Sequence, residues 1–349
     1  MTAMRDEIAQ IPDVVSGLLA DGVGEVSIAA DAIRAADPRW CVIVGRGTSD
    51  HAATYARYLI ETRLGIPTGL AAPSVSTIYR ADLDWRGGLV IGVSQSGASP
   101  DVVEVVARGR AGGGLTIAVT NEAGSPLASA ARHVLACRAG VERSVAATKT
   151  YVAELVVLAA LVERVHPSSE LSEGLTALPA TLAGVVRDAA DWIESSGVVD
   201  AVAGAERALV VSRGFNLATA LETALKLKEV AGVFADGYST ADFEHGPVVL
   251  AGPDVPVVAF RPDGAIGTSI DGALARLARA GAEPWFVGGP EVEGAPRRHG
   301  PLALRLRLPE ALTPAAFAIP GLMLAEAVAG RRGRDPDAPV GLTKVTLTR

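Results

Sequence analysis

The chain has 349 residues, is 49% hydrophobic and 20% charged, and carries a net charge of −7. That length and apolar content allow two ordinary domains with large cores and exclude a disordered chain. The acidic balance, the lack of a long basic run and an aromatic content of only 4% exclude a nucleic acid as partner, leaving a small anionic molecule compatible with local donors.

Cys41 and Cys137 lie in the apolar runs WCVIV and HVLAC, without zinc spacing, and read as buried thiols in a reducing compartment. The start MTAMRDE has early charges and no apolar h-region, and no uninterrupted apolar stretch reaches membrane-spanning length. A cytoplasmic protein without membrane contact is expected.

Residues 1–24 read as an N-terminal helical segment. From there apolar runs alternate with helical patterns. WCVIVG (40–45) predicts a strand, DHAATYARYLIETRLG (50–65) a helix, and 89–94 the next strand. A helix follows over 101–113, a strand over 115–120, a short helix over 125–131, a strand over 133–138 and a long apolar helix over 150–165. HPSSELSEG (166–174) reads as a polar connection, followed by helices near 175–197. RALVVSRG (207–214) is a strand, 216–232 a helix, and 255–260, 283–288 and 302–309 are further strands. TPAAFAIPGLMLAEAVAGRRG (313–333) reads as a helix interrupted or kinked near Pro320. Continuous apolar strands between helices mean parallel sheets covered on both faces, an α/β, doubly wound architecture. The expected domains are 25–170 and 171–333, with a C-terminal tail over 334–349.

The two halves look like copies. Arg46-Gly47 and Arg213-Gly214 each follow an apolar strand and precede a helix, at an offset of 167 residues.

The strand over 89–94 runs into SQSGASP. Ligands in open parallel sheets sit beyond the carboxyl ends of strands. Pro100 suits a first helical turn, Ser99 an N-cap, and Gly97 a positive φ or a close backbone approach. Ser94, Gln95 and Ser96 add neutral donors to a helix N-terminus, a setting for a phosphate monoester on a small molecule. No GK[ST] follows, which argues against a nucleoside-triphosphate loop. GRGTSD (45–50) repeats the chemistry with Thr48 and Ser49.

In LETALKLKEV (221–230), Glu222, Lys226 and Glu229 share one helical face. This pattern fits either a solvated face of ion pairs or an acid–base group. His245, before Gly-Pro in a loop, is a candidate proton carrier. The five histidines, His51, His133, His166, His245 and His299, show no metal-ligand spacing, and no metal or cofactor is expected.

GRGTS, SQSGAS, SVAATK, ETALKLKE, FEHGP and the terminal GLTKV occur in that order. With these motifs the chain resembles the SIS (sugar isomerase) family over nearly its whole length. It is similar in particular to the isomerase half of the glucosamine-6-phosphate synthases and to stand-alone amino-sugar-phosphate deaminases or isomerases. The resemblance implies two tandem SIS subdomains, each a flavodoxin-like parallel sheet flanked by helices, and a homodimer with a shared active site. It implies that Ser49, Ser94, Gln95, Ser96 and Ser99 hold the sugar phosphate, with Thr48 beside them, and that Val145 lines the sugar site through its backbone. Glu229 would move a proton between C1 and C2, and Lys226 would stabilise the enediol oxygen. His245 would assist ring opening, reaching the partner's site, and Lys344 would close over the open-chain sugar.

There are departures. The synthases carry an amidotransferase domain with an N-terminal cysteine, whereas this sequence starts MTAMRDE, so no glutaminase activity is expected. Ala98 replaces a glutamate of the synthase turn, Ala147 a hydroxyl residue, and Asp242 a glutamate. The expected reaction is conversion of glucosamine 6-phosphate to fructose 6-phosphate and ammonia. A fructosamine-6-phosphate deglycase and a non-catalytic sugar-phosphate-binding regulator are the alternatives. An NAD-dependent dehydrogenase lacks both GxGxxG and the acidic residue that should follow it.

Overall fold

A computed structural model describes residues 2–282, 284–289, 301–304 and 306–344. Its elements run α1 (Ala3–Ala9), α2 (Ile11–Asp21), α3 (Val23–Ala36), β1 (Trp40–Val44), α4 (Thr48–Leu64), β2 (Thr68–Leu70), α5 (Pro73–Thr77), β3 (Gly88–Val93), α6 (Pro100–Ala111), β4 (Leu115–Thr120), α7 (Pro126–Ala130), β5 (His133–Ala136) and α8 (Lys149–Val165). They continue with α9 (Ser169–Ser195), α10 (Val198–Gly204), β6 (Arg207–Ser212), α11 (Leu217–Ala231), β7 (Phe234–Ser239), α12 (Thr240–Glu244), β8 (Val257–Arg261), α13 (Ala265–Arg279), β9 (Trp285–Gly288), β10 (Leu302–Ala303) and α14 (Thr313–Arg331).

Two five-stranded sheets result, both parallel throughout, so the α/β expectation holds. One has the order β2-β1-β3-β4-β5 and the other β10-β9-β8-β6-β7. Read from the other edge, the second order is β7-β6-β8-β9-β10, the same connectivity as the first. The chain divides into two compact units, Ile11–Glu142 with Lys149–Thr176 and Thr343–Arg349, and Met1–Gln10 with Arg143–Thr148 and Ala177–Leu342. They are called the β1–β5 and β6–β10 units below.

In the β1–β5 unit, every residue of β3 and β4 is buried because helices cover both faces, which is why these strands read as continuous apolar runs. The sheet packs α5, α6 and α7 on one face and α3, α4 and α8 on the other. The β6–β10 sheet packs α11 and α14 on one face and α12 and α13 on the other.

Several expectations need correction. Residues 166–174 are not a connection: α9 starts at Ser169, and the Ser168 hydroxyl accepts the Leu171 amide at 3.2 Å as a helix cap. Leu171 and Leu175 are buried side chains on the largely polar first turns. Among the described residues, the strand expected over 302–309 forms only at Leu302–Ala303, paired with the end of β9 at Val287 and Gly288, where φ reaches 131°. Helix α14 runs unbroken through Pro320. The lost backbone bond is offset by near-complete burial of that helix. One helical span, Glu310–Arg331, is long and apolar enough by composition to cross a membrane, although Glu326 interrupts its apolar run, and an 18-residue stretch of it is 89% buried inside the fold. The FEHGP segment is the short α12 and the turn behind it rather than one open loop.

α11 and α14 touch closely at Gly321, where a Cβ would collide with the Thr223 hydroxyl. A Gly321→Val substitution should therefore cost about 1–3 kcal/mol by forcing the helices apart. Urea unfolding checks this: a lower midpoint is expected, and an unchanged midpoint would mean the contact tolerates the added volume.

Candidate active site

β1 and β3 lie side by side, yet the chain leaves them toward β2 and β4 on opposite sides. Such a reversal opens a crevice at the carboxyl ends of the two strands. The turns there are Gly45–Gly47 and Ser94–Ser99.

The serine turn is tightly wound. The Ser94 amide donates to the Val119 carbonyl at 3.0 Å, which prolongs the sheet by one residue. Gly97 has φ +60° and donates its amide to both the carbonyl and the hydroxyl of Ser94, at 3.1 and 3.2 Å. A side chain there would strike Ser125, so glycine is needed for conformation and for space. The Ser96 hydroxyl accepts the Ala98 amide at 3.3 Å. Ser99 stands at the N-cap of α6 as expected, but its hydroxyl makes no capping bond. Among the described residues, the amides of Ser96 and Ser99 have no hydrogen-bond partner. These orphan donors and the α6 dipole make the turn an anion site in waiting.

Arg46, half of the Arg-Gly repeat, also places a cation here. Arg46 Nε donates to Asp101 Oδ2 at 2.6 Å. Asp101 is 1% exposed at the start of α6, and its other oxygen accepts the Val102 amide at 2.9 Å. Asp101 thus ties the two turns together and anchors a guanidinium that is half-exposed beside the crevice. In the first turn, Thr48 opens α4 and Ser49 is buried, with its hydroxyl donating to Glu154 Oε1 at 2.9 Å. Burial raises the Asp50 carboxyl above its ordinary range, against the opposing charges of His51 and Arg46.

Glu142 is a second group that sequence patterning did not reveal. Its side chain is wholly buried. Oε1 accepts the Thr150 amide at 3.1 Å, and Oε2 accepts both Gln95 Nε2 at 2.6 Å and Lys344 Nζ at 3.2 Å. One carboxylate therefore joins the serine turn, the start of α8 and the tail lysine. Nothing periodic marks a lone glutamate in GVERSV, so no signal was available for it.

In the β6–β10 unit, α11 carries the candidate acid–base group. Lys226 is 1% exposed, with Nζ at 3.4 Å from Glu222 Oε1 and in a short bond to Glu229 Oε2. Glu222 is as buried as Lys226, whereas Glu229 is 23% exposed. A solvated face is thereby ruled out. Burial alone pushes the Lys226 ammonium down, and the two carboxylates outweigh it, so its pKa is raised and the lysine stays charged. Glu229 is the member of the trio that a substrate can reach.

His245 is exposed at the end of α12, its amide bonded to the Asp242 carbonyl at 3.1 Å. The Val145 amide donates to the Asp337 carbonyl at 3.3 Å. The structure thus groups Thr48, Ser49, Ser94, Gln95, Ser96, Ser99 and Lys344 in the β1–β5 unit, and Val145, Lys226, Glu229 and His245 in the β6–β10 unit. His299 lies outside the described residues. No cluster of three or more metal-ligating side chains occurs among the described residues. Both cysteines are buried and unpaired, and burial pushes their thiols up.

Residues 36–164 and 202–286 match the SIS domain family model. The chain is 32% identical over 346 residues to the glutamine–fructose-6-phosphate aminotransferase (isomerizing) of Methanothermobacter thermautotrophicus, covering 98% of this chain and 55% of that protein. It is 34% identical to the enzyme of the same name from Symbiobacterium thermophilum, with 98% and 56% covered. The chain therefore spans about half the length of the curated relatives it matches. A crystal structure of a phosphosugar isomerase candidate from Silicibacter pomeroyi DSS-3 superimposes with a TM-score of 0.87 at 36% identity, covering 97% of this chain and all of that one. The glucosamine-6-phosphate deaminase of Thermotoga maritima shares the fold, with a TM-score of 0.76 at 22% identity, covering 99% of this chain and 100% of that one. With more than half of its residues matched by that model and both sheets in place, the chain belongs to the SIS domain family.

Proposed function

We propose that this chain is a phosphosugar isomerase or deaminase that converts glucosamine 6-phosphate to fructose 6-phosphate and ammonia. The observation that carries the proposal is the pairing of a reachable carboxylate, Glu229, with a buried charged lysine, Lys226. A binding module needs no such pair.

The phosphate is held by the Ser96 and Ser99 amides and the hydroxyls of Ser94, Ser96 and Ser99, with Gln95, Thr48 and Ser49 around them. Arg46 adds the positive charge that the neutral donors lack. Val145 and Lys344 hold the open chain, and His245 assists ring opening from the partner copy of a homodimer. In the open-chain amino-aldose, Glu229 removes the proton from C2, giving an enolamine whose oxygen carries developing charge. Lys226 stabilises that charge. The carboxylic acid then returns the proton to C1, which leaves an imine at C2. Water adds to the imine, ammonia leaves, and the ketose remains. The reverse proton transfer, from C1 to C2 of a fructosamine phosphate, would leave the imine at C1, and its hydrolysis would release an amino acid and an aldose phosphate, making the enzyme a deglycase. The expected setting is the cytoplasm.

Two substitutions test the reading. Glu229→Gln should lower kcat about 10²–10⁴-fold with sugar-phosphate affinity little changed, as removal of a general base does. Ammonia release from glucosamine 6-phosphate measures it: full turnover in the variant would remove Glu229 from the mechanism, and amino-acid release from a fructosamine phosphate in place of ammonia would redefine the substrate. Glu142→Gln should loosen Gln95 and Lys344 together and weaken sugar-phosphate binding by about tenfold or more, the worth of a charge-assisted bond. Titration calorimetry reads that change, and an unaltered Kd would separate Glu142 from binding.

A further inference from the structure

The β6–β10 unit contains a cavity of about 280 Å³ that none of the candidate active-site residues lines. It lies against α12 and α13 and is bordered by Arg213, Thr240, Glu244, Ser269 and Arg276. Its size falls near the lower end of the roughly 300–1,000 Å³ usual for small-molecule sites.

The shared connectivity of the two sheets makes β6 the counterpart of β1, and β8 the counterpart of β3. Arg213 follows β6 as Arg46 follows β1. Arg46 meets a buried aspartate on the helix after β3. At the matching place Arg213 meets a hydroxyl: its Nη1 donates to Ser269 Oγ, on the helix after β8, at 2.6 Å. Among the described residues no carboxylate lies within ion-pair distance of Arg213. Its charge is left for something else to balance. Arg276 is half-exposed and stands 3.4 Å from Glu244 Oε1. Two guanidinium groups and one carboxylate give the lining a net positive charge.

An independent feature points the same way. Thr240 is 2% exposed, and its hydroxyl is buried with no hydrogen-bond partner among the described residues. Buried hydroxyls are seldom left unmatched unless a water, an ion or a ligand completes them. The Ser269 oxygen accepts from Arg213, which leaves its proton to donate. The cavity wall therefore offers donors from Arg213, Arg276, Ser269 and Thr240, and one acceptor, Glu244.

We infer that this cavity is a second anion site, which takes the phosphate group of a small phosphorylated metabolite and presents Glu244 to a hydroxyl or amino group of the same molecule. The inference does not rest on the reaction proposed above.

Equilibrium dialysis of the full chain against labelled inorganic phosphate at millimolar concentration tests it, in an Arg46→Gln/Ser96→Ala/Ser99→Pro background that takes from the serine turn its cation, two hydroxyls and the Ser99 amide hydrogen, the Ser99 φ of −69° already suiting proline. One phosphate per chain should remain bound. Arg213→Gln should weaken it about tenfold or more, and Thr240→Val, which changes no charge, should weaken it measurably, with both variants melting cooperatively. Should Arg213→Gln fail to fold, Thr240→Val decides alone. No residual phosphate in that background, or residual binding indifferent to both substitutions, overturns the inference. A stoichiometry that falls by one with Arg213→Gln and not with the serine-turn substitutions would support this site and count against the serine turn, so the two readings fail separately.

Discussion

A buried carboxylate must be matched by donors, and those that meet Glu142 include the Thr150 amide, the Gln95 side chain and the tail lysine, Lys344. Removing a donor leaves a wholly buried carboxylate short of a partner, which costs more than a surface bond is worth. The consequence is positional. Gln95 is held in the serine turn, α8 is held at its first residues, and a lysine distant in sequence is kept beside both.

The same economy governs the other charged groups. Asp101 is buried and is matched by the Val102 amide and Arg46, which is how a guanidinium comes to stand at the crevice. Glu222 is buried and is matched by Lys226, which in turn fixes Glu229. In each case a fully enclosed ion positions a more exposed one that can meet a substrate. In the proposed function the outer member meets the substrate, and the inner member explains why the outer one stays in place. Gly97 plays the corresponding part for the backbone: its positive φ turns the chain within a stretch where the Ser96 and Ser99 amides have no partner among the described residues.

Much of the fold could be read in the residues, because strands covered on both faces are continuous apolar runs and α-helices between them repeat at helical spacing. β3, β4 and α8 are such cases. The edge strand β7, FADGYS, escaped notice, since only two of its residues are buried and it carries Asp236 and Gly237. The start of α9 was hidden by its polar exposed face, and the unbroken course of α14 by Pro320, whose cost is outweighed only by packing invisible in one dimension. For the candidate site, motif residues such as Ser94–Ser99 and Glu229 stood out by type and spacing. Glu142, Asp101 and the role of Arg46 did not, because their importance lies in partners 47, 55 or more than a hundred positions away. Burial likewise decided between the two readings of the α11 face, and burial is a property of the folded chain.

The most direct measurement is a crystal structure of the full chain with glucosamine 6-phosphate or fructose 6-phosphate bound. The account predicts phosphate oxygens within hydrogen-bond distance of the Ser96 and Ser99 amides, with Arg46 alongside, and Glu229 Oε next to C1 and C2. A sugar phosphate seated elsewhere, with residues 94–99 unoccupied, would contradict it.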